Sequence, residues 1–446
     1  MTNLYWISFS LTFDENFKFL IPLTLLLIPA FLSIFFGLIF LFFIIFKPKN
    51  LISSFLIFSL LFSILEFLRG SILTGFPWNL IAYSFLDQLR ILSITSIIGT
   101  YGFNLMCISL FTSPALIILR DSKKDLIVCF IFLISFILFY IHGIYYERKF
   151  ISLEKKFFDY KIRSISSNIS LDRFYVDVDP RSILEELIKI SNPVSEEKTI
   201  FIWPEGILPT FSQDQISDLG KIIEENFSRN HLLIIGSNTK IIDKGSKKFF
   251  NSLSVYDNKL NLLSSYNKIK LVPFGEFLPF EKVFKRLGLK SLTNNYQSFS
   301  RGEERKIINI EKKNFSLKIL PLICYEIIYS GKLFDKADFD FIVNISEDGW
   351  FGRSIGPKQH FSHSILRAIE SGKYVIRSSN NGIASIINPL GVVEQIIDFG
   401  QSGYLDLNKI NKIQPTIFSK FKNKIFGLLI LLYILLIFSF NKIENE

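Results

Sequence analysis

The amino-acid sequence predicts two parts, a multi-pass α-helical membrane domain and an α/β domain with a largely buried sheet. Hydrophobic residues make up 49% of the 446 residues, and the mean hydropathy is positive, which is unusual for a purely water-soluble chain. A long segment of mixed composition separates the last two apolar stretches. This segment is long enough to form a core of its own, and it predicts the α/β part.

Five uncharged, strongly apolar stretches account for the high hydropathy. They are Phe19–Phe46, Asn50–Leu65, Ile91–Leu119, Leu126–Tyr146 and Ile425–Asn441. A helix that spans a bilayer needs about 20 apolar residues, and the second stretch reaches this length only if Glu66 lies at an interface. We therefore predict a membrane domain with about four spans at 1–146, an α/β domain at 160–410 and a C-terminal transmembrane helix at 424–441.

Basic residues in the short loops predict the orientation. Lys and Arg are enriched in cytoplasmic loops, and the basic loops of this chain are 47–50 and 120–124. Both are therefore expected in the cytoplasm, which places the α/β domain on the outer side of the membrane. The aromatic loop at 66–90 lies on the same outer side. It suits either an interfacial segment or an ordinary connection between two helices.

Short runs rich in β-branched and aromatic residues predict the strands of the α/β domain. They are Thr199–Trp203, His231–Ile235, Phe315–Ile323 and Phe339–Ile345. Apolar residues three and four positions apart, after a capping Asp, predict helices at Asp179–Ile190 and Asp214–Phe227. In such folds, reactive residues tend to follow the ends of strands.

Three side chains at strand or loop ends are those that covalent acyl chemistry requires. Glu205 follows a predicted strand, Lys268 lies in the run Tyr-Asn-Lys-Ile-Lys, and Cys324 directly follows an apolar strand. Each alone is more often a surface or packing residue. Together they supply a nucleophilic thiol, a carboxylate that takes its proton and a cation that stabilises an oxyanion, with the backbone N–H of Tyr325 as a second donor.

Other classes of function are less well supported. Two of the three Cys fall inside predicted spans, so no structural disulfide is expected. His360 and His363 could share a helical face, but no Cys near them in sequence completes a metal site, which favours surface or capping roles. Neither a phosphate-binding glycine loop nor a nucleic-acid module is evident. Charges lie almost entirely outside the predicted spans, which argues against a transporter.

The net charge of +10 has two explanations. A basic surface beside a bilayer suits anionic lipid headgroups. A solvated, lysine-rich surface is the commoner explanation, and the sequence leaves both open.

Several longer motifs resemble those of the apolipoprotein N-acyltransferases, a family of the nitrilase superfamily. The α/β domain contains YNKIKLVPFGEFLP at 266–279, ICYEII at 323–328, WFGRSIGP at 350–357 and RSSNNGI at 377–383. The membrane domain contains LRG at 68–70 and LTGFPW at 73–78. These membrane motifs distinguish the resemblance from one to a soluble nitrilase.

The resemblance implies an α/β/β/α sandwich and a Glu-Lys-Cys triad. Glu205 would be the general base, Lys268 would stabilise the tetrahedral intermediate, and Cys324 would be the nucleophile. Cys324 would take an acyl chain from a phospholipid, such as phosphatidylethanolamine, as a thioester. The α-amine of an S-diacylglyceryl cysteine at an apolipoprotein N-terminus would then receive the chain.

The resemblance also implies supporting residues and a setting. Glu276 would position the triad, and Tyr325, Glu326 and Trp350 would shape the pocket. No metal and no other cofactor is expected, nor is nucleic acid a partner. We expect a monomer in the cytoplasmic (inner) membrane of a bacterium, with its catalytic domain on the periplasmic face.

The chain departs from the family pattern at several positions. Its sequence starts near the equivalent of Trp6, so further leading spans of the family are not seen. A usual Trp is absent near Phe174 and Tyr175, Glu347 stands where Asn is usual, and Lys358 replaces a usual Trp. Altered lipid contacts are expected rather than inactivity. The alternative function is a membrane-anchored amidase, in which water rather than an amine resolves the intermediate.

Overall fold

The computed structural model describes residues 3–445 except 177, 210, 211, 214, 244, 245, 280–285, 287–297, 313 and 314. Within that part, five helices are long and apolar enough to cross a membrane, and each overlaps a predicted span. They are Glu15–Phe46, Leu51–Arg69, Thr95–Ile118, Lys123–Ile151 and Lys424–Lys442. The fold class of the N-terminal part therefore agrees with the prediction.

The helices are numbered in chain order. The α-helices are α1 (Ile21–Phe46), α2 (Leu51–Arg69), α3 (Leu89–Leu92), α4 (Thr95–Thr112), α5 (Pro114–Ile118), α6 (Lys123–Ile151), α7 (Pro180–Ser191), α8 (Gly220–Asn226), α9 (Gly356–Ser371), α10 (Ile417–Phe421) and α11 (Lys424–Asn445). The 3-10 helices are Tyr5–Thr12, Glu15–Leu20, Ile81–Phe85, Leu171–Phe174, Ile216–Leu219, Cys324–Ile328 and Gly349–Phe351.

Two membrane helices differ from the expectation. Helix α2 continues past Glu66 to Arg69, because the buried Glu66 carboxylate accepts a hydrogen bond of 2.5 Å from Asn104 Nδ2 and lies 3.4 Å from the Arg69 guanidinium. The stretch predicted as one long third span is divided into α3, α4 and α5. Gly99, with φ +70°, interrupts α4.

Twelve strands in the described part of the chain form one continuously paired sheet. They are β1 (Lys155–Ser167), β2 (Thr199–Ile202), β3 (His231–Asp243), β4 (Ser246–Asp257), β5 (Leu262–Asn267), β6 (Ile308–Lys312), β7 (Phe315–Ile323), β8 (Phe341–Glu347), β9 (Tyr374–Asn380), β10 (Ala384–Ile387), β11 (Val393–Ile397) and β12 (Gly403–Asn411). The main order is β5-β4-β3-β2-β1-β9-β8-β7-β6, with β12 on β1, β10 on β9 and β11 on β10.

The predicted strands and helices are present with shifted ends. β7 has the predicted bounds, whereas β3 extends to Asp243 because it forms a long antiparallel pair with β4. Helix α7 begins after Asp179, whose side chain accepts the backbone N–H of Arg181. Asp214, the expected start of the next helix, lies outside the described residues. That region forms the 3-10 turn at Ile216–Leu219 and then α8.

Alternating side chains build a four-layer sandwich. Strand residues point to opposite faces in turn, and on β2 Ile200 and Ile202 face a core shared with β7, β8 and β9. Phe201 and Trp203 face the other way, into a core formed with α7 and α8. The halves of the sheet thus pack against each other, and α7 and α8 cover one outer face. This α/β/β/α arrangement is the one that the family resemblance implied.

A buried polar cluster joins the membrane helices to this sandwich. The carboxylate of Glu370 on α9 accepts hydrogen bonds from the backbone N–H and hydroxyl of Thr100 at 2.7 and 2.6 Å. It also accepts the Ser330 hydroxyl at 2.6 Å and lies 3.0 Å from Arg367 Nε. Because Thr100 lies on α4 and Ser330 follows the Cys324 helix, the cluster fixes the sandwich onto the bundle.

Gly99 permits the closest approach in this junction. A Cβ added to Gly99 would lie 2.0 Å from the Phe418 ring, and its φ of +70° disfavours any side chain. We expect Gly99→Ala to destabilise the folded protein by about 2–4 kcal/mol, since both overpacking and a left-handed backbone are costly. Thermal unfolding in detergent measures this effect.

The matched control is Gly37→Ala in α1, where an added Cβ meets nothing within 4 Å. This variant should unfold at or above the parent's midpoint. Equal midpoints for the two variants would contradict the role assigned to Gly99.

Candidate active site

The ends of three strands bring the predicted triad residues to one edge of the sandwich. β2 leads through Trp203 and Pro204 to Glu205, β5 ends immediately before Lys268, and β7 ends immediately before Cys324. β2 and β7 lie far apart in the sequence, but both strands run parallel to their central neighbours in one sheet. Their carboxyl ends therefore reach the same region.

Lys268 lies between two carboxylates. Its Nζ donates to Glu205 Oε1 at 3.1 Å and to Glu276 Oε1 at 2.9 Å. Asn251 Nδ2 on β4 donates to the same two oxygens, at 2.7 and 2.8 Å. The backbone N–H of Val272 donates to Glu276 Oε2 at 2.8 Å. One cation and one amide therefore hold both carboxylates in a fixed geometry.

The charge state of the cluster follows from these contacts. Burial disfavours the Lys268 cation, but Glu205 and Glu276 outweigh this effect and raise the pKa of Lys268. Burial raises the pKa of Glu276, although Lys268 opposes the change. Lys268 therefore remains a cation at physiological pH, as a stabiliser of an oxyanion must.

Cys324 is held in a strained position at the start of a 3-10 helix. Its φ is +49°, a region that L-residues other than Asn and Asp rarely adopt. Burial first, and then the negative charge of Glu205, raise the pKa of the Cys324 thiol; Lys268 and the Ser346 hydroxyl oppose the increase. The resting group is thus the neutral thiol, which becomes a thiolate only if a base takes its proton.

Glu326 ties the segment of Lys268 to the segment of Cys324. Its Oε1 accepts the backbone N–H groups of Ile269 and Lys270 and the hydroxyl of Tyr266, at 3.0, 3.1 and 2.7 Å. Its Oε2 accepts the backbone N–H of Ile323 at 3.0 Å. Arg305 lies 3.1 Å from Oε1. Glu326, predicted to shape the pocket, makes its described contacts with backbone and neighbouring side chains.

Tyr325 connects the 3-10 helix Cys324–Ile328 to the membrane domain. Its hydroxyl donates to the carbonyl oxygen of Gly75 at 2.9 Å. The hydroxyl of Tyr329 donates to the carbonyl oxygen of Thr74 at 2.8 Å. Both acceptors belong to the aromatic loop after α2. The loop therefore packs directly on the Cys324–Ile328 helix rather than forming a separate connection.

Trp350 lies in a cluster of aromatic rings. Its ring centroid is 5.0 Å from that of Phe174, 6.4 Å from that of Tyr175 and 5.9 Å from that of Phe13. Phe174 and Tyr175 are the residues near which the usual Trp is absent. Aromatic contacts at this position are thus present without that Trp, and Phe13 adds one from the N-terminal segment.

The expectation for the two histidines of α9 was wrong. Neither is a surface or capping residue, because both are buried. His360 Nε2 lies 3.2 Å from the Cys324 carbonyl oxygen, and its Nδ1 lies 2.9 Å from Asp348 Oδ1. His363 Nδ1 forms a 2.7 Å hydrogen bond with the Tyr83 hydroxyl. Sequence spacing could not show that a distant Cys meets this helix.

Cys324, Asp348 and His360 have possible metal-ligand atoms within 4.8 Å of one another. Their polar atoms already have protein partners, since Ser346 donates to Asp348 Oδ1 and Arg377 Nη2 donates to Oδ2, each at 2.7 Å. Although burial opposes it, Arg377 and His360 lower the pKa of Asp348. A divalent cation would have to displace these bonds beside the Arg377 guanidinium, so the group does not suit a metal.

Sequence reasoning missed the residues that support the triad. Asn251 follows no motif, and it lies in a strand with several other polar side chains, so no local signal singles it out. The polar face of α9, which includes His360 and Arg367, has a clearer signal. Its buried polar residues recur three and four positions apart, as expected for one helical face that contacts polar partners.

The chain is similar in sequence to known proteins. The family model of carbon-nitrogen hydrolases matches residues 181–405, and that of the apolipoprotein N-acyltransferase N-terminal domain matches residues 1–113. The apolipoprotein N-acyltransferase of Bradyrhizobium diazoefficiens is 31% identical over 95% of this chain and 80% of its own length. That of Rhodopseudomonas palustris is 29% identical over 94% and 79%. A solved variant of the Nesterenkonia AN1 amidase, from the nitrilase superfamily, is 14% identical with a TM-score of 0.39 and covers 58% of this chain and 92% of its own.

The opposing charges around Cys324 give a test of the site geometry. Glu205 raises the thiol pKa and Lys268 lowers it. We expect Glu205→Gln to move the midpoint of the Cys324 alkylation rate to lower pH and Lys268→Met to move it to higher pH. The rate is measured with an alkylating reagent at each pH, and the Cys324 peptide is quantified by mass spectrometry.

Lys318→Met is the control, because Lys318 is exposed and pairs with Asp338 away from the site. It should leave the midpoint unchanged. Shifts of the same sign in the Glu205 and Lys268 variants would contradict the arrangement described.

Proposed function

The chain belongs to the apolipoprotein N-acyltransferase family, and we propose that Glu205, Lys268 and Cys324 form its catalytic triad. Its function is the transfer of an acyl chain from a phospholipid to an apolipoprotein, and it is a protein of the bacterial inner membrane. The observation that carries the triad is the position of Lys268, which pairs with Glu205 and Glu276 and acts electrostatically on Cys324.

In the first half-reaction, the thiol attacks the ester carbonyl of the phospholipid. Glu205 takes the proton as the S–C bond forms, and Lys268 with the Tyr325 backbone N–H stabilises the oxyanion. The intermediate collapses with cleavage of the C–O bond. The lysophospholipid oxygen takes the proton from Glu205, and the acyl chain remains on Cys324 as a thioester.

In the second half-reaction, the neutral α-amine of the acceptor cysteine attacks this thioester. An N–C bond forms, Glu205 takes a proton from the amine, and the C–S bond breaks. The proton returns to the Cys324 sulfur, so the enzyme ends in its starting state. The raised pKa of the thiol supports this cycle, because the sulfur is neutral between turnovers and each transfer requires the base.

The supporting residues have roles consistent with their contacts. Glu276 holds Lys268, and Glu326 fixes the two segments that carry Lys268 and Cys324. Trp350 would form a wall of the acyl pocket with its neighbouring rings, and Tyr325 would fix the loop at 66–90 beneath the site. We propose a phosphatidylethanolamine-like donor and a monomeric enzyme that requires no metal or other cofactor.

The orientation forms part of the same proposal. The basic loops at 47–50 and 120–124 favour a cytoplasmic side for both, which leaves the catalytic domain, proposed at 160–410, in the periplasm. Diacylglyceryl proteins and the donor phospholipid would then meet the site at the outer leaflet. The four spans proposed at 1–146 and the helix at 424–441 hold the domain there.

The first test isolates the intermediate. Purified enzyme is incubated with a phospholipid that carries a labelled acyl chain. The parent is expected to retain a hydroxylamine-sensitive label, and Cys324→Ala should retain none. Cys129→Ala is the matched control, because Cys129 is also buried but lies in α6.

A diacylglyceryl-cysteine peptide should then discharge the label to an amide. No label on the parent enzyme would contradict the mechanism. Release only as free fatty acid, even with the peptide present, would favour the amidase alternative, in which water resolves the thioester.

The orientation is tested by labelling introduced cysteines in spheroplasts with a membrane-impermeant maleimide. The two sites are Asp338, whose side chain is 75% exposed in the sandwich, and Lys49, which is exposed in the loop after α1. Asp338→Cys should react in intact spheroplasts, and Lys49→Cys should react only after permeabilisation. The unsubstituted chain, whose three Cys are buried, gives the background, and the reverse pattern would contradict the proposal.

A further inference from the structure

A buried ion pair lies next to the triad but is not one of its members. Arg173, in the 3-10 helix Leu171–Phe174, pairs through Nη2 with Glu347 Oε2, and each side chain is 1% exposed. Glu347 is the last residue of β8. A carboxylate buried without a cation is strongly unfavourable, so Glu347 depends on Arg173.

The pair contacts the segment Glu205–Gly206, which carries the proposed general base, at two points. The backbone N–H of Glu347 donates to Glu205 Oε2 at 3.0 Å. The Nε of Arg173 donates to the carbonyl oxygen of Gly206, the residue after Glu205, at 3.2 Å. Both members therefore touch the short segment that carries the base.

The side chain of Glu347 fixes the direction of its own backbone N–H. Its Oε2 also accepts Asn380 Nδ2 at 2.6 Å, and its Oε1 accepts the backbone N–H of Gly349 at 2.8 Å. Arg173 in turn is held by the carbonyl oxygens of Ile169 and Ser170. Loss of either charge would leave several buried groups without partners, and the peptide at Glu347 would reorient.

The two oxygens of Glu205 have different environments. Oε1 already accepts the Lys268 ammonium and the Asn251 amide. In the described part of the chain, Oε2 accepts the Glu347 N–H and keeps a lone pair for a proton. The N–H of Glu347 thus acts on the Glu205 oxygen that Lys268 and Asn251 do not already engage.

We propose that Arg173 and Glu347 are positioning residues, which hold the Glu347 N–H against Glu205 Oε2 and so keep the Glu205 carboxylate aimed at Cys324. This role rests on the proposed function of Glu205 as the general base. The buried pair fixes the peptide that carries this N–H.

Other charged groups also face Glu205. Lys268, Glu276 and Cys324 interact with it from β5, from the loop after β5 and from the end of β7. Asp348 follows Glu347 in the chain, and its charge is compensated by Arg377 and His360. The variants below leave all of these groups in place.

The test follows the single-turnover acylation rate of Cys324 by a labelled-acyl phospholipid as a function of pH. The rate is normalised to the active sites titrated in each preparation. Arg173→Met and Glu347→Gln should each lower the normalised rate about three- to tenfold, because Glu205 loses the N–H that orients it.

The double variant Arg173→Met/Glu347→Gln removes both charges and therefore leaves no unpaired buried ion. It should yield more titratable enzyme than either single variant and still show the lowered rate per active site. Asp406→Asn is the control, because it breaks the Arg163–Asp406 pair, whose two hydrogen bonds of 2.7 Å lie between β1 and β12. This control should change the yield of active enzyme and leave the rate per active site unchanged.

Fewer active sites with an unchanged rate per active site in all three variants would overturn the positioning role and leave a purely structural one. A different result would overturn the proposed function instead. If Glu205→Gln were acylated with the parent's pH profile, Glu205 would not be the base, whatever the ion-pair variants do.

Discussion

The site depends on one buried arrangement of charge, the Lys268 ammonium between the carboxylates of Glu205 and Glu276. A lysine buried alone would lose its proton or unfold the segment that carries it. Here the two carboxylates and Asn251 provide what water would otherwise provide, and Lys268 stays charged while 1% of its side chain is exposed. The cation can therefore stabilise an oxyanion without reorganising at the moment of reaction.

This arrangement requires a sheet, because Asn251 lies on β4 and the two residues Glu205 and Lys268 follow the ends of β2 and β5. Glu276 lies in the loop after β5. Glu326 adds the second requirement, since its carboxylate accepts backbone N–H groups from both the Lys268 and the Cys324 segments. These bonds hold Cys324 beside the charged cluster with a left-handed backbone that an isolated turn would not retain. The strain at the nucleophile and the charge beside it are thus maintained by the same fold.

The spans and the strand ends could be predicted from the sequence because each leaves a local signal, and the catalytic roles of Glu205, Lys268 and Cys324 at those ends stay a prediction. Apolar length marks a span, and β7 is a short apolar run that ends at Cys324. The remaining features lack such a signal. Asn251 and His360 act through contacts between residues far apart in the chain, and His360 looked like a surface residue because its partner, the Cys324 carbonyl oxygen, lies 36 positions away. In the sequence, Glu347 is a departure from the expected family pattern. Its ion pair with Arg173 could not be predicted, because β8 and the Leu171–Phe174 helix are far apart in the chain.

The contact between the two domains bears on the choice between an amine and water as the acyl acceptor. Cys324 is 8% exposed, and the hydroxyl of Tyr325, the next residue, is fixed by the carbonyl oxygen of Gly75 in the membrane domain. On the same side, Gln359 of α9 accepts the indole N–H groups of Trp6 and Trp78 at 2.9 and 2.8 Å. These contacts cover the nucleophile's helix with elements of the membrane part. A thioester formed there would be shielded from bulk water, and an amine carried on a lipid anchor would reach it from the membrane, so the proposed triad would favour transfer over hydrolysis.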